Sequence, residues 1–249
     1  MNNENAIVIV GASSHIAQLV TRIWASESTA TIFLVARDLK KLNPVAAHLQ
    51  ILNPDSEIIC KELSFSNIPA ASSLIDEIFT SHSVSKVLLS FGTLPDQSMC
   101  QKNFYLAQDT LMINGILPII LCEIFISKMQ DLSSGSIAVI GSVAGDRGRK
   151  SNYFYGAAKS MIDTYIQGAR HRLSGTSLNI SIVKPGPTAT PMTEGLGLNL
   201  SFADPNIVAH DIVNGIKKKQ AVIYTPTKWR FIMMVIRNLP AFIFNKLNI

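Results

Sequence analysis

Cysteine is scarce in this sequence, at three residues in 249. Cys60, Cys100 and Cys122 lie far apart with no paired spacing. That excludes a disulfide framework and a thiolate metal site, and predicts reduced, mostly buried thiols. The five histidines form no His-Glu-x-x-His pattern, so no metal site is expected. Charge is thin as well: 16% of residues are charged against 47% hydrophobic, and the net charge is +5. No basic-aromatic module of the kind that grips nucleic acid is present. The mild positive excess suits anionic ligands or a membrane surface instead. No apolar run approaches the roughly 20 residues that span a bilayer. There is no signal-peptide pattern either, because the first strand starts by Ala6. A cytoplasmic protein is expected, working at most at the inner face of the cell membrane. Repeats, low-complexity segments and composition breaks are missing too. Residues 1–249 therefore read as a single domain.

What is present is an alternation of apolar strands and helical patterns. Strands are predicted at 6–10, 31–36, 57–63, 84–90, 135–142, 178–183 and 221–225. Helices are predicted from the first turn to about Ser26, then at 39–50, 68–81, 104–128, 155–173 and 205–219, with Pro118 kinking the fourth. Alternating βα units predict an α/β protein: a Rossmann-type doubly wound parallel sheet of about seven strands, in three layers. Residues 188–204, rich in Gly, Thr and Pro, read as a substrate lid.

The first strand runs into Gly11-Ala12-Ser13-Ser14-His15-Ile16-Ala17 and then a helix. Strand, small-residue turn and helix make an entry for a dinucleotide, with the pyrophosphate at the helix N-terminus. The pattern is degraded, since His15 and Ala17 stand where a glycine-rich version carries glycine. Ser13 and Ser14 still offer hydroxyls to phosphate. The second strand ends in Ala36-Arg37-Asp38. An acidic residue at this tip holds a ribose hydroxyl, whereas an Arg accommodates a 2′-phosphate. Arg37 therefore favours NADPH, and Asp38 keeps NADH open. Gly92 at the fourth strand's tip lets the chain pass close to the cofactor.

Chemistry concentrates in the run from Ser136 to Ser160. A strand ends in Gly141-Ser142, and Tyr155 and Lys159 share one helix face at i, i+4 spacing. A Tyr is a poor acid or base near neutrality, and a neighbouring ammonium lowers its pKa. A Ser hydroxyl can hold a substrate carbonyl oxygen beside the Tyr hydroxyl, as proton transfer to a ketone requires. Tyr153 has Ala157, not Lys, four residues on.

Gly11 to Ala17, Asn114, Ser142, Tyr155 with Lys159, and Pro185-Gly186 with Thr188 together resemble the short-chain dehydrogenase/reductase family over the whole chain. The resemblance implies that Ser142 orients a carbonyl and Tyr155 is the acid-base. Lys159 would tune Tyr155 and hold the nicotinamide ribose. Asn114 would support a proton relay, and Thr188 would contact the carboxamide. Two departures stand out. The family's Asn-Asn-Ala-Gly is Leu89-Ser90-Phe91-Gly92 here, and its acidic residue near adenine is Ser64 or missing.

The loop SVAGDRGRKSNYFYGAAKS and the tail KWRFIMMVIRNLPAFIFNKLNI resemble one branch of that family. Its members reduce the 2-keto pentose in the epimerisation of decaprenylphosphoryl ribose to the arabinose lipid. A flavin-dependent oxidase partner makes the ketone. That branch points to NADH. The chain carries features of the right kind. Arg147, Arg149 and Lys150 lie between Ser142 and Tyr155, where they read as phosphate ligands or as a solvated loop. The tail, residues 228–249, is apolar with interspersed cations, and reads as core, oligomer interface or peripheral membrane contact. A homo-oligomer is expected. Two rival functions stay open: reduction of another lipid or small carbonyl compound, and a nucleotide-binding scaffold or sensor without turnover.

Overall fold

Seven short apolar runs pair side by side, and their order decides where a ligand can sit. The computed structural model describes residues 4–132, 134–194 and 202–247. The strands are β1 (Glu4–Val10), β2 (Thr31–Ala36), β3 (Ile58–Glu62), β4 (His82–Leu89), β5 (Gly135–Ile140), β6 (Leu178–Pro185) and β7 (Val222–Thr225). They form one sheet in the order β3-β2-β1-β4-β5-β6-β7, parallel throughout. The order reverses between β1 and β4. In such sheets the crevice outside the strand ends at that point takes the ligand.

Side-chain alternation along β1 divides the core in two. Ile7 and Ile9 pack on one face with Trp24, Leu42 and Ile212. Those three belong to α1 (His15–Glu27), α2 (Leu39–Leu52) and α8 (Pro205–Lys217). Val8 and Val10 pack on the other face with Ile75, Phe125 and Ile162. These come from α3 (Ile68–Ser81), α6 (Leu117–Met129) and α7 (Tyr153–Arg172). Helices α1, α2, α3 and α8 start at side-chain caps: Ser14, Asp38, Asn67 and Asp204 each accept a first-turn N–H. Cys100 and Cys122 are buried and Cys60 half-buried, and burial pushes the Cys122 thiol up to about 12. Burial raises the Cys60 thiol as well, which makes Cys60 and Cys122 poor nucleophiles.

The fourth predicted helix is more elaborate than its pattern. It comprises α5 (Phe104–Leu111), a π-helical turn over Met112–Ile116, and α6, with a further short helix, α4 (Gln97–Lys102), just before it. Pro118 lies in the first turn of α6, and the wide turn just before it bonds Leu117 N–H to the Met112 carbonyl. The turn absorbs the irregularity that a residue without an N–H imposes. The rod Phe104–Met129 is long and apolar enough to cross a membrane, contrary to the sequence expectation, with mean hydropathy 2.0. Leu121, Phe125, Ile126 and Met129 are buried in the core, so it serves as a core helix here.

Two further helices, α9 (Lys228–Asn238) and α10 (Ala241–Phe244), form the tail and are separated at Pro240. Of the region read as a lid, residues 195–201 lie outside the described residues. Its ends meet in a parallel bridge between Thr188 and Ala203.

One buried cation ties several pieces together. Lys184 on β6 reaches Asp146 at 2.6 Å and Asp163 on α7 at 2.7 Å. Tyr224 on β7 donates to Asp146 at 2.7 Å. Burial pulls the Lys184 ammonium down, but the hydrogen bonds and charges of the two carboxylates outweigh it and leave its pKa raised. Removing the cation strands two carboxylates. Lys184→Met is expected to cost about 3–5 kcal/mol, read as a lower midpoint of urea unfolding at unchanged slope.

Candidate active site

The first wall of the site is the turn after β1. Gly11 has φ +83°, and a Cβ there would lie 2.5 Å from the Ser90 carbonyl oxygen, so only glycine fits. Ser14 Oγ hydrogen-bonds Ser90 Oγ at 2.8 Å, which ties the start of α1 to the tip of β4. The first turn of α1 carries no acidic residue, so its N–H groups and dipole favour an anion. His15 is exposed at the first helical position and fills no space inside the turn. Ala17 is fully buried and gives the close helix-sheet packing that a third glycine serves elsewhere.

At the tip of β2, Ala36 is buried and Arg37 exposed. The Asp38 carboxylate caps α2, accepting from Lys40 N at 2.9 Å. Lys41, one turn on from Arg37, lines the same cavity. Sequence reading missed Lys41; the i, i+4 spacing was the available signal. After β3, Ser64 Oγ lies 3.1 Å from Ser66 Oγ, and Phe65 packs on Phe91 with ring centres 4.4 Å apart. This wall is aromatic and neutral rather than acidic.

Asn114 is fully buried in the π-helical turn. Its Oδ1 accepts from Thr93 N at 2.9 Å, and its Nδ2 donates to the Thr110 carbonyl at 3.0 Å. A Cβ on residue 92 would come within 2.6 Å of Asn114 Oδ1, which explains Gly92. Opposite, β5 ends and Ser142 accepts from Ala144 N at 3.1 Å. Lys159 is buried and donates to the Ile140 carbonyl at 2.9 Å. Its Nζ lies 5.7 Å from the Tyr155 ring centre. Burial brings the Lys159 ammonium down to about 8. Burial also raises the Tyr155 phenol, while a hydrogen bond from Ser142 and the charge of Arg149 pull it back without reversing the rise. The sequence assigned that electrostatic role to Lys159. In the structure Arg149 also acts on Tyr155 as a cation, while Lys159 is engaged with a carbonyl and weakened by desolvation.

The three loop cations separate, which corrects their joint assignment to phosphate. Arg147 donates to the carbonyls of Ile236 and Leu239, both at 2.6 Å, and its guanidinium stacks 3.8 Å from the Phe244 ring centre. It is committed to the tail. Lys150 is exposed and lies outside the cavity lining. Arg149 alone lines the cavity. Across from it, Thr188 is buried and donates to the Gly186 carbonyl at 2.9 Å. Trp229 packs on Gly186 so tightly that a Cβ there would meet its Nε1 at 1.9 Å. Trp229 therefore buttresses this loop instead of facing a bilayer.

One cavity of about 670 Å³ gathers these walls, including Asn114, Ser142, Tyr155 and Lys159. Ser13, Ser14, His15, Ile16, Pro185 and Gly186 line it too. Among the described residues no three His, Cys, Asp or Glu side chains could hold a metal. A family model described as short chain dehydrogenase matches residues 5–200. The chain belongs to the short-chain dehydrogenase family. It is an NAD(P)-dependent oxidoreductase of that type.

An oxidoreductase of Mycobacterium tuberculosis is 28% identical over 243 residues, covering 97% of this chain and 96% of the relative. One of Staphylococcus epidermidis is 31% identical over 199 residues, covering 77% and 81%. A short-chain dehydrogenase of Sphingobium yanoikuyae, solved with NADPH, superposes with TM-score 0.81 at 18% identity over 95% of this chain and 97% of that one. The bulky-bulky ketone specific alcohol dehydrogenase of Comamonas testosteroni gives TM-score 0.78 at 21% identity over 94% and 92%.

The cradle fits a dinucleotide on the structure's own terms: a positive-φ glycine, an acid-free helix start and two cations at the β2 tip. Bound NAD(P)H supplies a hydride in this short-chain dehydrogenase. For its own residues, Tyr155→Phe is expected to lower turnover by about 10²–10⁴-fold while nicotinamide binding persists, measured by stopped-flow and fluorescence titration. Lys159 is charged below about pH 8 and neutral above it, so ketone reduction should fall as pH rises through that value. Lys159→Met should remove that limb of the profile.

Proposed function

We propose that this short-chain dehydrogenase is a ketone reductase, with Ser142 and Tyr155 at the carbonyl oxygen. The observation carrying this reading is the placement of Ser142, Tyr155, Lys159 and Asn114 around one cavity that also holds the dinucleotide cradle. Ser142 donates a hydrogen bond to the oxygen. Tyr155 delivers a proton to it as the carbon accepts hydride, so a carbonyl becomes an alcohol. A phenol held protonated by burial suits this direction. Lys159 would restore charge near Tyr155 and meet ribose hydroxyls. NADPH is the favoured reductant, since Arg37 and Lys41 flank the β2 tip while Asp38 is occupied as a cap.

The finer reading is reduction of the 2-keto pentose of a polyprenyl phosphate, completing a ribose-to-arabinose epimerisation begun by a flavin-dependent oxidase. The tail supports it. Phe231 and Phe242 are 62% and 71% exposed, and Met234, Val235 and Ile243 are exposed beside them. Lys228, Arg230, Arg237 and Lys246 are exposed on the same two helices and the turn after them. Apolar groups flanked by cations suit an anionic bilayer, where the lipid-linked sugar would be met at headgroup level.

Arg37→Ala is expected to weaken NADPH binding by about tenfold and to leave NADH nearly unchanged. Equal affinity for both nucleotides in the wild type would remove the preference. For the substrate, membranes, the candidate flavoenzyme and NADPH should yield the arabinose lipid by mass. The protein should bind anionic vesicles less as salt rises. A tail that instead buries its apolar face in a dimer, with no vesicle binding, would assign it to subunit contact.

A further inference from the structure

We infer that Arg149 and Asn152 form a two-sided recognition site beside Tyr155, for a ketone carrying an anionic oxygen and a hydroxyl. The inference rests on the carbonyl-reductase reading and adds the substrate's polar groups to it. Both residues line the active-site cavity. Arg149 Nε is a buried donor with no hydrogen-bond partner, and Asn152 Oδ1 is a buried acceptor with none. Buried polar groups are rarely left unsatisfied, because each costs its full desolvation. The other such atom among the described residues, Gln97 Nε2, belongs to a side chain outside the cavity lining.

Asn152 is the more telling of the two. It sits at the N-cap of α7, where an Asn side chain normally accepts a helix N–H, yet it makes no capping bond. The favourable local use of the amide is therefore passed over, and its oxygen is kept for something else. Arg149 lies three residues earlier and is joined to it through the backbone, Asn152 N donating to the Arg149 carbonyl at 3.2 Å. Asp146, whose charge acts on the guanidinium, is itself hydrogen-bonded to Lys184 and Tyr224.

The two orphans have opposite polarity. A guanidinium selects an oxyanion, phosphate above all, through charge-assisted bonds. An amide oxygen selects a donor, and a sugar hydroxyl is the simplest one. Together they fit a keto-sugar phosphate, whether free or as a lipid headgroup.

The test uses the whole enzyme with NADPH and three ketones. These are a ketopentose monophosphate, 3-oxobutyl phosphate without a hydroxyl, and an uncharged α-diketone. Arg149→Met should lower kcat/KM for both phosphates about tenfold or more relative to the diketone. Asn152→Ala should lower it for the ketopentose phosphate alone. Thermal unfolding and NADPH titration establish that both variants fold. Using ratios cancels any effect of Arg149 on the Tyr155 proton. Ratios that do not move in either variant overturn the pair. The ketopentose phosphate is also offered as its farnesyl diester in micelles. Turnover of the free or the esterified form tells a soluble sugar phosphate from a lipid headgroup, and loss of either in the variants supports the assignment. If the wild type reduces none of the three, the ketone reading fails by itself. The pair is then judged by calorimetry on the NADP⁺-loaded protein: ketopentose phosphate binding that Arg149→Met abolishes supports it, and no binding to the wild type overturns it.

Discussion

The site depends on one buried cation. Lys184 immediately precedes the Pro185-Gly186 turn, and its two carboxylates come from the loop after Ser142 and from α7 one turn beyond Lys159. Tyr224 brings β7 to the same point. A single ammonium thus fixes the Ser142 loop, the Tyr155 helix and the far wall of the cofactor groove relative to one another. Charges this deep are sustained only by mutual pairing, so the arrangement forms together or not at all. The side chains that face one another across the cavity are carried on an interlocked unit rather than on independent loops.

Much of this was legible in the sequence. The βα alternation gave a seven-stranded parallel sheet, because strands buried on both faces write themselves as continuous apolar runs, as β2 and β6 do. Tyr155 and Lys159 were readable because helical spacing alone puts them on one face. The π-helical turn around Asn114 was not readable. A wide turn and a proline-initiated helix leave the same apolar pattern, and only the placement of Pro118 distinguishes them. Sequence distance also misled for the loop cations. Arg147, Arg149 and Lys150 are near neighbours in the chain, yet one holds the tail, one faces the cavity and one is exposed. The fate of Arg147 depends on a residue 89 positions away, which no local pattern encodes.

The electrostatics differ from the simple picture of an ammonium acidifying a phenol. Desolvation acts on Tyr155 and Lys159 in opposite senses, raising the phenol and weakening the ammonium. These shifts move the two proton affinities apart, so the phenol keeps its proton while the ammonium gives its own up more readily. The charge that opposes the rise at Tyr155 comes from Arg149, which lines the same cavity. A ligand that pairs with the guanidinium also changes the field on the phenol.

The contact between Trp229 and Gly186 joins a residue of the tail to one in the cofactor groove. In evolutionary terms the two positions are a single character. While the indole is present, position 186 admits no side chain, and a lineage that loses the tail is released from that restriction. Descent would therefore show the glycine wherever the indole-bearing tail is kept, although more than 40 residues separate them in the chain.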